Sequence, residues 1–241
     1  MKRGSGSPAP ASSPRGSATR RKPGRHAAGS AGAAGDELPI SPLTINRLSL
    51  YLRSLRQLAA VGVARVSSAA LARFCQLSAA QVRKDLAAFG DFGTRGVGYD
   101  IQPLERQLVR VLRLDRVHRI VIFGMGNIGT ALAKYPAFNS GSFQVVAGFD
   151  SDPEKIGKRV GEVLIHPPEE VARVVRRSRA TMAVLAVPGE AAPAGYTALA
   201  EAGITAILNF APFVLPPQPQ CRVKNVDLRT HLEELSFFGG F

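Results

Sequence analysis

From residue 42 onward the apolar positions of the chain recur at helical spacing. In "PLTINRLSLYLRSLRQLAAVG", Ile45, Leu48, Leu52 and Leu55 fall on one face before Gly62 stops the run, which predicts a first helix. In "VSSAALARFCQLSAAQVRKDLAAFG" the apolar positions are shorter-ranged and serines precede them. Ser67 or Ser68 opens one short helix, and Ser78 opens the next with Gln81 three residues on, a capping-box pattern. With a turn at Gln76 and Leu77, the pair reads as a helix-turn-helix. The glycine-dense "DFGTRGVGYD" follows, with Phe92, Val97 and Tyr99 flanking "GTRG", and predicts a two-stranded hairpin with Arg95 at its tip. Helix, helix, helix and hairpin is the order of a winged helix. After Pro103, "PLERQLVRVLRLD" sets Leu104, Leu108 and Leu112 on one stripe, a helix connecting two domains.

Beyond that helix, strand-like and helix-like segments alternate. "RIVIF" precedes a helix from about Gly126, "FQVVAGFD" precedes one near Pro168 to Arg177, "TMAVLAVP" precedes one from Glu190 to Ala202, and "ITAILNF" closes the series. Such alternation predicts an α/β domain, a doubly wound parallel sheet with helices on both faces. The closing "NVDLRTHLEELSFFGGF" puts Leu228, Leu232, Leu235 and Phe238 at helical spacing, and Phe237 and Phe241 add apolar surface. That helix needs a groove, on its own domain or on a second subunit. Helix-turn-helix proteins commonly bind paired half-sites as symmetric dimers, which favours the second subunit.

Composition changes this picture mainly at the front. The chain has 241 residues and 45% hydrophobic side chains, enough for two modest domains. Residues 1–38 are Gly, Ala, Ser, Pro and Arg with almost no large apolar side chain, and read as a disordered basic tail. The net charge of +13 is uneven: residues 1–35 hold seven Lys or Arg and no acid, residues 36–104 eight against five, and residues 105–241 sixteen against thirteen. A basic front and a nearly balanced rear suit a polyanion-binding element joined to a domain with another task. No apolar run approaches the roughly 20 residues that cross a bilayer, and the amino terminus lacks a signal-peptide stretch, so a cytoplasmic location is expected. Cys75 and Cys221 lie far apart with no metal-ligand spacing, which argues against a disulfide framework or a zinc site and for two small buried residues.

Two motifs carry chemistry. Gly124, Met125, Gly126, Asn127, Ile128 and Gly129 form a glycine fingerprint between an apolar strand and a helix. The first glycine permits a tight turn, the second admits a phosphate to the backbone, and the third allows close helix packing. The helix amino terminus then offers unpaired N–H groups to a pyrophosphate. A second strand ends in Asp150, 21 residues after Gly129, where a carboxylate bonds adenosine ribose hydroxyls and repels a 2′-phosphate, favouring NAD(H) over NADP(H). In the helix-turn-helix, Val82, Leu86 and Phe89 share one face and leave Gln81, Arg83 and Lys84 nearer the other, suited to base edges and phosphates of double-stranded DNA. Ser78 offers a hydroxyl and nearby amides to a phosphate, and Arg95 suits a wing contact. The plainer alternatives are a solvated charged helix and a mobile surface arginine.

These pieces in this order resemble the redox-sensing transcriptional repressor family Rex, from about Leu48 to Phe238, through "QVRKDL", "FGTRGVGYD", "GMGNIG", "FDSDPEKIG", "AGITAILNFAP" and "NVDL". The resemblance implies a cytoplasmic homodimer of winged-helix heads and Rossmann bodies whose carboxy-terminal helices are swapped between subunits. It implies binding to an inverted-repeat operator of TTGTG and CACAA half-sites when NAD+ prevails, and release by NADH. The division that follows is a tail at 1–38, a winged-helix DNA-binding domain at 39–102, a Rossmann NAD(H)-binding domain at 103–226 and a dimer-swapped helix at 227–241. Arg53 matches an arginine that pairs across the dimer with an aspartate, here Asp227, and Tyr135 matches the tyrosine that takes over that aspartate in the NADH-bound form. Without the resemblance, Arg53 is a surface arginine and Tyr135 a helix-end aromatic. The basic tail and Leu228, where some relatives carry an aromatic, depart from the pattern. No catalytic residue and no metal are expected. The rival readings are an NAD-dependent oxidoreductase with an appended DNA-binding domain, to which His26, His118, His166 and His231 offer little as a base, and a Rossmann domain for another adenosine ligand such as coenzyme A.

Overall fold

The computed structural model describes residues 40–239 apart from 91, 95 and 217. The expected basic tail, Arg95 and Phe241 therefore lie outside the described residues. The first part of the fold begins with α1 (Pro42–Ala60), whose amino end is closed by Ser41 Oγ accepting from the Thr44 amide at 3.2 Å. A short strand β1 (Arg65–Val66) leads to α2 (Ser68–Cys75) and α3 (Ala79–Ala87), capped by Ser67 and Ser78. Gln76 ends α2 in the left-handed region, φ 54°, and turns the chain into α3. Strands β2 (Gly93–Thr94) and β3 (Gly98–Asp100) form the hairpin, and β1 pairs antiparallel with β3 to complete a three-stranded sheet in the order β1-β3-β2. The two residues of β1 are too few to show an alternation, so the sequence predicted only the hairpin.

Helix α4 (Ile101–Val111) begins two residues before the predicted start, because Pro103 in its first turn occupies a position whose N–H needs no partner. Its Ile101, Leu104 and Leu108 are fully buried in one core with Leu48, Leu52 and Leu55 of α1, Leu71 of α2, and Val82 and Leu86 of α3. Each such side chain contributes roughly 1.5–3 kcal/mol on leaving water. The expected boundary between residues 102 and 103 thus falls inside a helix that belongs to this first core, and the head extends through Leu114, which packs against it.

The body is built on a seven-stranded sheet. Its elements are β4 (His118–Phe123), α5 (Asn127–Lys134), β5 (Phe143–Phe149), β6 (Arg159–Val160), β7 (Val163–His166), α6 (Val171–Ser178), β8 (Met182–Leu185), α7 (Ala192–Glu201), β9 (Ala206–Asn209), β10 (Arg222–Asn225) and α8 (Leu228–Phe238). The strand order is β10-β9-β8-β4-β5-β7-β6, parallel throughout except where β6 turns back on β7. The β6–β7 hairpin and the polar edge strand β10 were not predicted, since β6 has two residues, the apolar run of β7 is only Val163–Ile165, and β10 carries one apolar residue, Val223. Side chains of β4 alternate between two cores: Val121 and Phe123 pack with Val171, Val174 and Leu199 of α6 and α7, and Ile120 and Ile122 with Ala133 of α5. The chain moves outward from β4 to β5 and then returns to the other side of β4 at β8, which opens a crevice at the carboxyl ends of these strands.

Cys221 is buried, and burial pushes its thiol above the usual range, while Cys75 is only half-buried, with Sγ 3.4 Å from Ser54 Oγ. Among the described residues no helix is long and apolar enough to cross a membrane.

Candidate functional site

The glycine loop lies at the carboxyl end of β4, beside the crevice. Gly124 adopts φ 99°, and a Cβ there would stand 2.5 Å from the Ala186 carbonyl oxygen. A Cβ on Gly129 would stand 1.9 Å from the Gly124 carbonyl oxygen, so α5 packs against the loop only because this position has no side chain. Gly126 differs: a Cβ there meets nothing within 4 Å, and it occupies the cap of α5 with no side-chain cap bond. Asn127 and Ile128 are exposed in the first turn, whose amides lack intrahelical acceptors. The loop therefore presents free N–H donors, the positive end of a helix and open space, a cradle for a phosphate group. Met125 points the other way into the core, where it fills the space left by Gly148.

Asp150 ends β5 beside this loop. Its Oδ2 accepts from the Met125 amide at 2.9 Å and from Lys155 Nζ at 3.1 Å, and its Oδ1 accepts from the Asp152 amide at 2.9 Å. Burial pushes its pKa upward, but those amides and the Lys155 ammonium outweigh it and hold the carboxyl below the usual range. One acceptor position on Oδ1 remains for a hydroxyl. The Met125 and Lys155 contacts were not read from the sequence; a lysine five residues after the aspartate in "FDSDPEKIG" was the available signal.

In the head, Ser78 Oγ accepts from the Gln81 amide at 3.1 Å, the expected first half of a capping box. The reciprocal half is absent, because the Gln81 carboxamide is drawn instead to Asp85, with Nε2 to Oδ1 at 2.7 Å. Asp85 is buried and also accepts from Arg47 Nε at 2.6 Å, Arg47 Nη2 at 2.8 Å and the Tyr51 hydroxyl at 2.8 Å. Burial raises its pKa, and the Arg47, Tyr51 and Gln81 bonds more than reverse this. The same setting pushes the Tyr51 hydroxyl well above its ordinary value, chiefly through burial. Arg83 and Lys84 are exposed as predicted, with Arg83 Nη1 donating to Ser68 Oγ at 3.1 Å. Small residues Ala80 and Ala87 share that exposed surface.

The three switch residues are not brought together within one chain. Arg53 is exposed on α1 and forms no ion pair among the described residues. Tyr135 ends α5, half exposed, edge-on to Phe138 with ring centroids 5.8 Å apart. Asp227 caps α8, accepting from the Arg229 amide at 2.9 Å and from Thr230 Oγ1 at 3.1 Å, and these bonds hold its carboxyl below the usual range. Helix α8 buries none of its residues: Leu228, Leu232, Leu235, Phe237 and Phe238 are all 61% exposed or more. Beside Arg53 lies a cleft of about 710 Å³ between α1, the residues that follow α4 and Phe143 of β5, lined largely by apolar atoms of Ile45, Leu112, Leu114 and Phe143.

Two family descriptions match the chain: "Putative DNA-binding protein N-terminus" over residues 39–87 and "CoA binding domain" over residues 115–213. The redox-sensing transcriptional repressor Rex of Desulforamulus reducens is 44% identical over 200 residues, covering 83% of this chain and 95% of the relative. That of Thermus thermophilus is 46% identical over 201 residues, covering 83% and 94%. Among solved structures, RSP in complex with β-NAD+ and operator DNA aligns with a TM-score of 0.80 and 33% identity, covering 84% of this chain and 93% of that one. RSP in complex with β-NADH aligns with a TM-score of 0.77 and 31% identity, covering 84% and 95%. With the glycine loop, the helix-turn-helix and this degree of identity across both halves, the chain belongs to the redox-sensing transcriptional repressor family Rex.

Proposed function

We propose that the chain is a cytoplasmic, non-catalytic sensor of the NADH/NAD+ ratio, which binds operator DNA as a homodimer when NAD+ prevails and leaves it on binding NADH. The observation that carries this reading is the open approach to Gly126 beside a carboxylate with one acceptor position left, in the same chain as a helix-turn-helix. The amides of Asn127 and Ile128 hold the pyrophosphate, and Asp150 Oδ1 takes a ribose hydroxyl; a 2′-phosphate meets the carboxylate and is disfavoured. The nicotinamide supplies a ring that is cationic when oxidised and neutral when reduced. On the head, Gln81, Arg83 and Lys84 enter the major groove and Ser78 meets a phosphate; a DNA contact by Arg95, which lies outside the described residues, is part of the same reading. His118 supports a sensor over an oxidoreductase, since it lies at the opposite end of β4 from the glycine loop and so away from a nucleotide held there.

Helix α8 supports dimerisation, because five of its large apolar side chains find no cover among the described residues. It inserts into a second copy, where the apolar cleft beside Arg53 accepts it and Arg53 faces Asp227 of the partner subunit. In the NADH-bound form Tyr135 takes over that aspartate, and the heads change their separation. Such a switch requires that NADH bind the DNA-incompetent form more tightly than the competent one.

The test is fluorescence anisotropy of a labelled duplex carrying inverted TTGTG and CACAA half-sites, titrated with NADH and separately with NAD+. Tight binding released by NADH at far lower concentration than by NAD+ is expected; binding indifferent to both refutes the sensor. The match to a CoA-binding family favours one second reading, an adenosine ligand other than NAD(H). Displacement of NADH by coenzyme A at comparable concentration would support it.

A further inference from the structure

The carboxylate of Asp85 is saturated. Its two oxygens accept four hydrogen bonds, two from Arg47, one from Tyr51 and one from Gln81, and the residue is 3% exposed. An ionised carboxylate has about four acceptor positions, so none is left for water. A buried ion pair of this kind is weak evidence for net stability, since apolar residues of the same shape often serve as well. Anchoring α3 to α1 needs only the Arg47 and Tyr51 bonds, which leaves the Gln81 bond to be explained.

Gln81 borders the exposed surface formed by Ala80, Arg83, Lys84 and Ala87, the surface assigned above to the major groove. Free on that surface, a glutamine side chain would sample many rotamers and both amide orientations. Asp85 removes this freedom, because a carboxylate is acceptor-only and the Gln81 carboxamide must turn its Nε2 inward. What remains outward is Oε1, which takes no hydrogen bond from any described residue, together with one Nε2 hydrogen. An acceptor next to a donor on one carboxamide matches the N6 amino group and N7 of adenine.

We propose that Asp85 is a specificity-setting positioning residue: it orients the Gln81 carboxamide so that the recognition helix reads an adenine. The inference rests on the DNA-reading role given to α3 above. Arg47 and Tyr51 make the arrangement rigid by tying the same carboxylate to α1, so that Gln81 is aimed before DNA arrives.

The experiment is competition binding of the full-length protein to duplexes in which each base pair of the inverted half-site is replaced in turn. Wild type, Gln81→Met, Asp85→Asn and the double variant are compared, with circular dichroism to check folding. The wild type is expected to lose roughly tenfold in affinity when one A·T pair is replaced. Both single variants should erase that loss while keeping the others, and Asp85→Asn should add nothing further at that pair once Gln81 is Met. Two results overturn the inference: a full base profile in Gln81→Met, or a uniform loss on every duplex in Asp85→Asn with the A·T preference intact. Should Asp85→Asn fail to fold, the triple variant Arg47→Met, Tyr51→Phe, Asp85→Leu decides, because apolar residues of similar shape replace the whole network around the carboxylate while the Gln81 carboxamide stays intact. Erasure of the A·T preference in that variant supports the positioning role, and its retention overturns it. A wild type with no base preference at all refutes the DNA-reading role of α3 and this inference with it.

Discussion

The head and the body each hold one largely buried aspartate that gathers hydrogen bonds, and the two are closed to different degrees. Asp85 accepts four bonds, all from side chains of its own head, and joins α1 to α3. Asp150 accepts three, two from backbone amides and one from Lys155, and keeps one position open next to the space in front of Gly126. Both carboxyls are held below their ordinary range against the opposing effect of burial. The same chemistry thus serves two ends. A carboxylate saturated by its own protein positions neighbouring elements, whereas one left an acceptor position at a strand end is available to a ligand.

Substitutions can sharpen that contrast. The largest effect is expected from Gly129→Ala in the body, where the new Cβ meets the Gly124 backbone, which cannot yield; a loss of about 4 kcal/mol or more should appear in denaturant titration. Asp85→Ala follows, at about 3 kcal/mol, because it strands Arg47 and Tyr51 without their acceptor. Asp150→Ala should cost clearly less, since Lys155 is 38% exposed and water reaches it; equal losses in the two variants would erase the distinction drawn here. Gly126→Val reverses the pattern, with an unchanged melting temperature and NADH affinity weakened ~100-fold, measured by titration calorimetry. A fall in stability there would mean that the space before Gly126 is not free.

Acid should affect both halves in the same direction. With folded pKa values below the ordinary ~3.9, the two aspartates stabilise the protein above that pH, and their contribution is lost as pH falls further through the folded values. Melting temperatures between pH 7 and pH 2 should therefore hold down to about pH 4 and then drop, with a shallower drop in Asp85→Asn. The smallest effect belongs to the exposed Arg65–Asp100 pair, where Arg65→Ala should leave the melting temperature unchanged within error.

Much of this architecture was legible along the chain. The stripe of Leu48, Leu52 and Leu55, the caps at Ser67 and Ser78, the glycine spacing from Gly124 to Gly129 and the aspartate closing β5 are all local patterns, set by the repeat of a helix or the geometry of one turn. The strands β1, β6 and β10 were not legible, because two to four residues carry too little pattern and acquire their pairing only from a neighbour. The head boundary moved for a similar reason: the leucines of α4 announce a helix, but only packing against α1 shows which core takes them.

What the sequence determined by itself is the order of the elements and the presence of a phosphate-binding loop, since both depend on residues close together in the chain. Only the tertiary structure decided that Asp85 meets Arg47 from 38 residues away and turns Gln81 from its expected cap, or that Lys155 and the Met125 amide occupy Asp150. It also decided that α8 finds no cover among the described residues, leaving Arg53 and Asp227 apart. Periodicity specifies which face of an element is apolar, but the partner of that face, or of a buried charge, is chosen by the packing of distant segments.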